Sequence, residues 1–366
     1  MKKIAVAMSG GVDSGVAAAL LVKAGFGVTA FHLKLWSEDT ESFLGDRLGK
    51  EVACPRENKC CDTASQIAAE KTAKHLGIPF RLVNLSYQFK KNVVDYFLDA
   101  YALGLTPNPC VMCNRLIKFG ELYELIREEG FDYLATGHYA QGKNGGLYTA
   151  KDKTKDQTYF LYNLKTEQLK HLLFPVGAYL KSEVRTLAAR EKLPVAARPE
   201  SQEICFLPET DYRPFLKRYV PLAIKSGAVV DLDGKTIGIH QGLPLYTIGQ
   251  RHGFTVHGNL PGPFYVVGKD LKNNRLVVGF GKETERDQFF IHQANWIGVE
   301  EKKLYGKNLE VKIRHQGAYL HAKVEPTNKK GKLLVKLAMP ERGFAPGQAA
   351  VFYQEEKVLG GGLIDS

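Results

Sequence analysis

No stretch of this chain approaches the roughly 18 uncharged apolar residues that a membrane-spanning helix requires, so no span and no membrane partner are expected. The apolar run Ile4 to Met8 behind two N-terminal lysines meets a glycine pair at once and is too short for a signal peptide, so a cytoplasmic location is expected. Cysteine is scarce, six in 366 residues. In a reducing compartment such thiols serve metal binding or catalysis rather than a disulfide framework. Low-complexity tracts and repeats are missing, and 44% hydrophobic against 24% charged residues excludes a disordered chain. The opening turn carries neither GxxxxGK[ST] nor GxGxxG, which removes support for γ-phosphoryl and hydride transfer.

What the chain has in excess is positive charge. A net charge of +11 and a pI near 9.2 favour a polyanionic partner, because cations facing phosphates release condensed counterions. Between Lys302 and Lys336 basic residues recur, opposed by Glu310 and Glu325, which makes a local basic face. A generic solubility charge is the plainer reading of the same total.

The order of elements predicts an α/β protein with a parallel sheet. Ile4 to Met8 reads as a buried strand, followed by a glycine turn and an apolar helix from Val16 to Lys23. Strands at 28–35, 81–85 and 133–136 alternate with helices at 62–76, 87–103 and 117–129, and a further helix runs to about Lys192. The two prolines of Thr106-Pro107-Asn108-Pro109 predict an extended loop. We expect a nucleotide-binding catalytic domain over 1–206 and a small mixed domain over 207–276. A C-terminal antiparallel β-barrel over 277–366 follows from the alternation in LEVKIRH, LHAKVEP, KLLVKLA and AAVFYQ.

Ser9-Gly10-Gly11-Val12-Asp13-Ser14 lies between a strand and a helix, where glycines let backbone amides approach an anion and the helix N-terminus adds positive potential. A plain glycine turn with a serine helix cap is the structural alternative. Cys110-Val-Met-Cys113 sits on the proline loop, and Cys205 lies between Ile204 and Phe206. A working thiolate needs exposure and nearby cations, which Arg115 and Lys118 can supply to Cys113; a buried inert thiol is the alternative for Cys205.

The loop resembles that of the pyrophosphate-loop ATPases, which include GMP synthetase and argininosuccinate synthetase. Over its whole length the chain is similar to the bacterial tRNA-specific 2-thiouridylase family. The segments that carry the resemblance are MSGGVDS (8–14), TPNPCVMCNRLIKF (106–119), ATGHYA (135–140), KDQTYFL (155–161), SQEICF (201–206), TIGQRHG (247–253) and PGQAAVFY (346–353). The resemblance implies an adenine-nucleotide-hydrolase-like domain using ATP and Mg²⁺, tRNAs of the Lys, Glu and Gln type as substrates, and a protein relay that donates sulfur. It implies Cys113 as nucleophile and Cys205 as the persulfide carrier, with a transient disulfide between them. ATP would meet Ala7, Met8, Ser9, Gly10, Gly11, Val12, Asp13, Ser14, Leu33 and Gly137. Asn108, Pro109 and Cys110 would meet the target base. His138, Lys155, Asp156, Gln157, Arg314, His315 and Gln348 would meet tRNA.

The chain departs from the family at Cys110, where Asp is usual; a neutral thiol is a weaker acid and a poorer acceptor. For the residues assigned to tRNA the plain alternatives are a solvated turn at 155–157, a hydrogen-bonded core histidine at 138, water-facing side chains at 314 and 315, and turn chemistry at 348. The extra cysteine also makes Cys110, Cys113 and Cys205 candidate ligands of a 4Fe–4S cluster with one open iron, and Cys54, Cys60 and Cys61 candidate zinc ligands. Two other functions share parts of the pattern: a pyrophosphate-loop synthetase or amidotransferase acting on a small metabolite, and a non-enzymatic RNA-binding module.

Overall fold

The computed structural model describes residues 1–37, 63–200, 204–207, 209–257 and 262–365. Its contacts gather into two units, Met1–Val94 with Cys110–Thr210, and Asp95–Pro109 with Asp211–Ser366.

In the first unit, β1 (Lys3–Ala7), β2 (Gly27–Lys34), β3 (Phe80–Asn84) and β4 (Tyr133–Thr136) come in chain order. A hairpin of β5 (Gln141–Lys143) and β6 (Gly146–Tyr148) follows, then β7 (Leu172–Leu173). The sheet order is β3-β2-β1-β4-β7, and every pairing in it is parallel. Covering helices make both faces apolar, which is why Ile4, Ala5 and Val6 of β1 are all fully buried. The first helix, Val12–Lys23, feeds two clusters: Ala18 and Leu21 join Ile4 and Val6, while Val16 and Ala17 pack with Val184 and Ala188 of helix Lys181–Arg190. Because β2 and β3 lie on one side of β1 and β4 on the other, the strand order reverses at β1. The crevice at the carboxyl ends of β1 and β4 is therefore where a ligand is expected in such a sheet.

One expectation is revised here. The expected loop holds through Asn108, but the helix begins at Pro109 rather than near Ile117: Pro109–Met112 is one helical turn, Cys113–Glu121 continues it with π-type winding, and Leu122–Glu128 completes an α-helix. Proline lacks only an amide hydrogen that the first turn of a helix leaves unused, so Pro109 starts a helix that it could not interrupt further on.

The second unit holds a mixed sheet and a barrel. β8 (Gly227–Val230), β9 (Thr236–His240), β10 (Thr255–Val256), β11 (Tyr265–Asp270) and β12 (Arg275–Gly279) pair in the order β10-β9-β8-β12-β11, with β8 and β12 parallel. The barrel strands are β13 (Glu285–Trp296), β14 (Leu309–Lys312), β15 (Leu320–Pro326), β16 (Lys332–Arg342), β17 (Ala349–Gln354) and β18 (Lys357–Ile364). They run antiparallel in the order β13-β16-β15-β14-β17-β18 and close through β13–β18 pairing. Alternation along β15 puts Ala322 and Val324 inward against Val311, Val335 and Phe352, and sends Lys323 outward. No helix among the described residues is long and apolar enough to cross a membrane.

Candidate active site

At the carboxyl ends of β1, β2 and β4 lies a cavity of about 300 Å³. Ser9, Gly11, Asp13 and Ser14 line one part of it. The loop is tied internally: the Ser9 amide donates to Ser14 Oγ at 3.3 Å, and Ser14 Oγ donates to the Gly11 carbonyl at 3.1 Å. Gly137, just past β4, lies against the loop so closely that a Cβ there would stand 2.6 Å from the Ser14 nitrogen and 2.7 Å from the Asp13 carbonyl carbon. Only glycine permits that approach. Gly10 has φ +78°, and Arg198 Nη1 donates to its carbonyl at 2.9 Å. Amides and hydroxyls at the start of a helix form an anion cradle.

Around the loop runs a chain of charges. Lys181 Nζ donates to Asp13 Oδ1 and Oδ2 at 2.7 and 2.8 Å and reaches Glu200 at 3.0 Å, and Lys155 meets the same glutamate at 2.8 Å. Partial burial raises the Glu200 pKa, but hydrogen bonds from Lys155 and Lys181 outweigh it and hold the carboxyl down at about 2. The Tyr139 hydroxyl donates to Asp13 Oδ1 at 2.9 Å, and burial followed by the Asp13 charge pushes its pKa up.

Lys118, Thr136, His138, Gln157 and Cys205 line the same cavity. His138 Nδ1 is 2.8 Å from Thr136 Oγ1, and Nε2 is 3.5 Å from Lys118 Nζ. Burial, then the Lys118 charge, lowers the His138 pKa well below that of an ordinary histidine, so the ring is neutral at physiological pH.

Residues 2–209 match the model described as a tRNA methyl transferase HUP domain, 213–280 the matching PRC-barrel domain, and 286–364 an aminomethyltransferase beta-barrel domain. Relatives align along the entire chain. The chain is 44% identical to the tRNA-specific 2-thiouridylase MnmA of Chloroflexus aurantiacus, over 100% of this chain and 98% of that one. The chain belongs to the tRNA-specific 2-thiouridylase family. Proteins of the same name from Chloroflexus aggregans (43% identity, 100% and 98% covered) and Symbiobacterium thermophilum (41%, 100% and 92% covered) agree. The methyl-transfer wording of the domain descriptions has no counterpart in these full-length names.

Of the residues expected to hold ATP in a 2-thiouridylase, Ala7, Met8, Ser9, Gly11, Asp13, Ser14, Leu33 and Gly137 all line the cavity. Gly10 and Val12 belong to the same loop, with Val12 packed inward. Cys205 opens onto the cavity, whereas Cys113 is 6% exposed at the start of its π-wound segment, and Cys110 is half-buried. A cluster needs three thiolates converging on one point, and among the described residues no three Cys, His, Asp or Glu side chains are grouped to hold a metal. Cys54, Cys60 and Cys61, the zinc candidates, lie outside the described residues.

The residues assigned to tRNA separate into groups. Asp156 is buried: it accepts from the Ala150 amide at 2.6 Å and the Thr158 amide at 3.1 Å, so its carboxylate holds its own turn rather than facing RNA. Gln157 Oε1 accepts from the Tyr139 amide at 2.9 Å. Gln157 and His138 line the nucleotide cavity, and Lys155 is paired with Glu200. Arg314 is exposed on the barrel, and His315, partly buried, has its pKa lowered by burial and by Lys312. Gln348 Nε2 donates to the carbonyls of Thr106 and Pro107 at 3.0 and 3.3 Å, and the Thr106 amide donates to the Pro346 carbonyl at 2.7 Å. Asn108, next in the chain, is buried.

Sequence reasoning missed Lys181, Glu200 and Arg198, which act on the loop from well over a hundred residues away. The one available signal was the position of Glu200 directly before the SQEICF segment.

Proposed function

We propose that this protein thiolates C2 of the wobble uridine in tRNAs of the Lys, Glu and Gln type, consuming ATP. The observation that carries this reading is that Cys205 and the Ser9–Ser14 anion cradle line one cavity, in a chain of the 2-thiouridylase family. RNA approaches over the basic residues of the barrel, and the target uridine leaves its stack to reach the cavity. The uracil C2 oxygen attacks the α-phosphorus of ATP, pyrophosphate leaves, and an O-adenylated base results. The loop amides hold the departing pyrophosphate. A Mg²⁺ ion bound with the nucleotide would neutralise phosphate charge, and Asp13, the carboxylate that lines the cavity, would be the residue to hold it.

A relay protein loads sulfur on Cys205 as a persulfide. Its outer sulfur attacks C2 and expels AMP. Cys113 then attacks the Cys205 sulfur, releasing the thiocarbonyl base and leaving a Cys113–Cys205 disulfide that a cellular dithiol reduces with two electrons. Cys113 can instead attack the persulfide itself and release sulfide; the exposure of Cys205 to the cavity, with Cys113 itself buried, favours the first order.

The test is nucleoside mass analysis of tRNA incubated with the protein, ATP, Mg²⁺ and a persulfide donor. We expect 2-thiouridine with the wild type and none with Cys113→Ser or Cys205→Ser, while tRNA binding persists. Thiolation retained in either variant would remove the two-cysteine route. ATP turnover that responds to a small amide donor and not to tRNA would point to the metabolite synthetase instead.

A further inference from the structure

The cavity holds a polar cluster that the steps above leave unused, and its proton positions follow from elementary valence. An ammonium group only donates, so in the Lys118–His138 contact Nε2 is the acceptor. The ring proton then sits on Nδ1 and points to Thr136 Oγ1, which also accepts from the His138 backbone amide at 3.4 Å. Phe119 and Phe174 rings flank the imidazole, with centroids 5.8 and 6.4 Å away. Tautomer and orientation are thus both fixed. A neutral acceptor places the ammonium without cancelling its charge.

The backbone directs the same group. Segment Cys113–Glu121 is π-wound, and the Leu122 amide following it donates to the Ile117 carbonyl, five residues back. Such winding brings residue 118 about one turn beyond residue 113 on the same side, where α-helical winding would carry it away. Lys118 therefore reaches into the cavity that Cys205 also lines, from the segment that begins with Cys113.

We propose that Lys118, held in place by the His138 imidazole, is the cation that stabilises the sulfur anion on Cys205. The inference rests on the thiolation reading and adds to it an electrostatic role: no bond forms to Lys118, and the proton lost by sulfur passes to water. His138 is a positioning residue. The other titratable groups lining the cavity are Asp13, which is engaged by Lys181 and Tyr139, and His32, whose Nδ1 donates to the Met8 carbonyl at 2.8 Å.

The test uses the full-length protein without RNA. Alkylation of Cys205 by iodoacetamide is followed by peptide mass analysis from pH 6 to about 10, for the wild type, Lys118→Arg, Lys118→Met and His138→Ala. An opposite charge a few ångströms from an ionising group typically moves its pKa by about one unit or more. Lys118→Met should raise the apparent Cys205 pKa by about that amount, Lys118→Arg should keep it near the wild-type value, and His138→Ala should raise it by less. A Cys205 profile unchanged in Lys118→Met overturns the proposal, and does so most clearly if ATP binding weakens tenfold in the same variant, since that assigns Lys118 to the phosphates. If Lys118→Met fails to fold, His138→Ala decides: a rise supports the proposal and an unchanged profile overturns it. The outcome is independent of the functional reading, which falls only if the wild type makes no 2-thiouridine.

Discussion

The phosphate end and the sulfur end of the cavity are built in opposite ways. The phosphate end is braced from within the protein. Its loop is bonded to itself, pressed against Gly137, and fixed at Asp13 by Lys181 and Tyr139. At the sulfur end one thiol faces the cavity and the other is covered. Adenylation relies on groups already aimed, which is how preorganised sites lower barriers. On the proposed route, sulfur transfer waits for Cys113 to be uncovered.

The comparison breaks first at Gly137. Gly137→Ala forces a Cβ into the loop backbone, and a displacement near 1 Å at a reacting centre costs about a hundredfold in rate. Pyrophosphate exchange into ATP should fall by that order while circular dichroism stays native. Asp13→Ala should also suppress that exchange, by roughly tenfold or more, and unchanged exchange would show that the carboxylate has no part in the phosphate site. The next effect sharpens the contrast between the two thiols. In the RNA-free protein Cys205 should react with iodoacetamide about ten times faster than Cys113, and equal rates would mean that the π-wound segment opens freely. Gln348→Ala removes two donated hydrogen bonds, worth together about 1–2 kcal/mol. We expect several-fold slower thiolation with ATP exchange nearly unaffected; an equal loss in both would remove the distinction between the two ends.

The smallest effect is on acid stability. Glu200 has its carboxyl held at about 2, against an ordinary 4.5, so the folded state favours its charged form. Its contribution is complete above pH 4.5 and disappears as pH falls toward 2. Urea unfolding should show Glu200→Gln about 1–2 kcal/mol less stable than the wild type at pH 6, with the gap closing near pH 2.5. A gap constant with pH would mean that the network of Lys155 and Lys181 gives the charge no preference.

What the sequence disclosed follows the range of the interactions. The turn Ser9–Ser14, the strands 133–136 and 349–354, and the closed barrel were legible because a strand's alternation and a glycine turn are written in neighbouring residues. β13 and β18, which close the barrel, pass through less regular sequence, and β18 contains three glycines in a row. The start of the helix at Pro109 was misjudged because proline reads as a breaker unless its position within the helix is known. Asp156 looked like a surface contact because a carboxylate between Lys155 and Gln157 has nothing local to show that it folds inward. The partners of Gln348, more than two hundred residues earlier, had no sequence signature at all.

That last contact constrains how such a chain can change. The Gln348 amide grips the carbonyls of Thr106 and Pro107, two residues ahead of the turn that opens at Pro109. A frameshift or nonsense codon at or just before position 348 would spare every cysteine and still release that grip. A chimaera exchanging C-terminal domains between relatives has to carry over the fit between the Pro346–Gln348 turn and the 104–107 backbone, because the tail of the gene product has become a structural part of its middle.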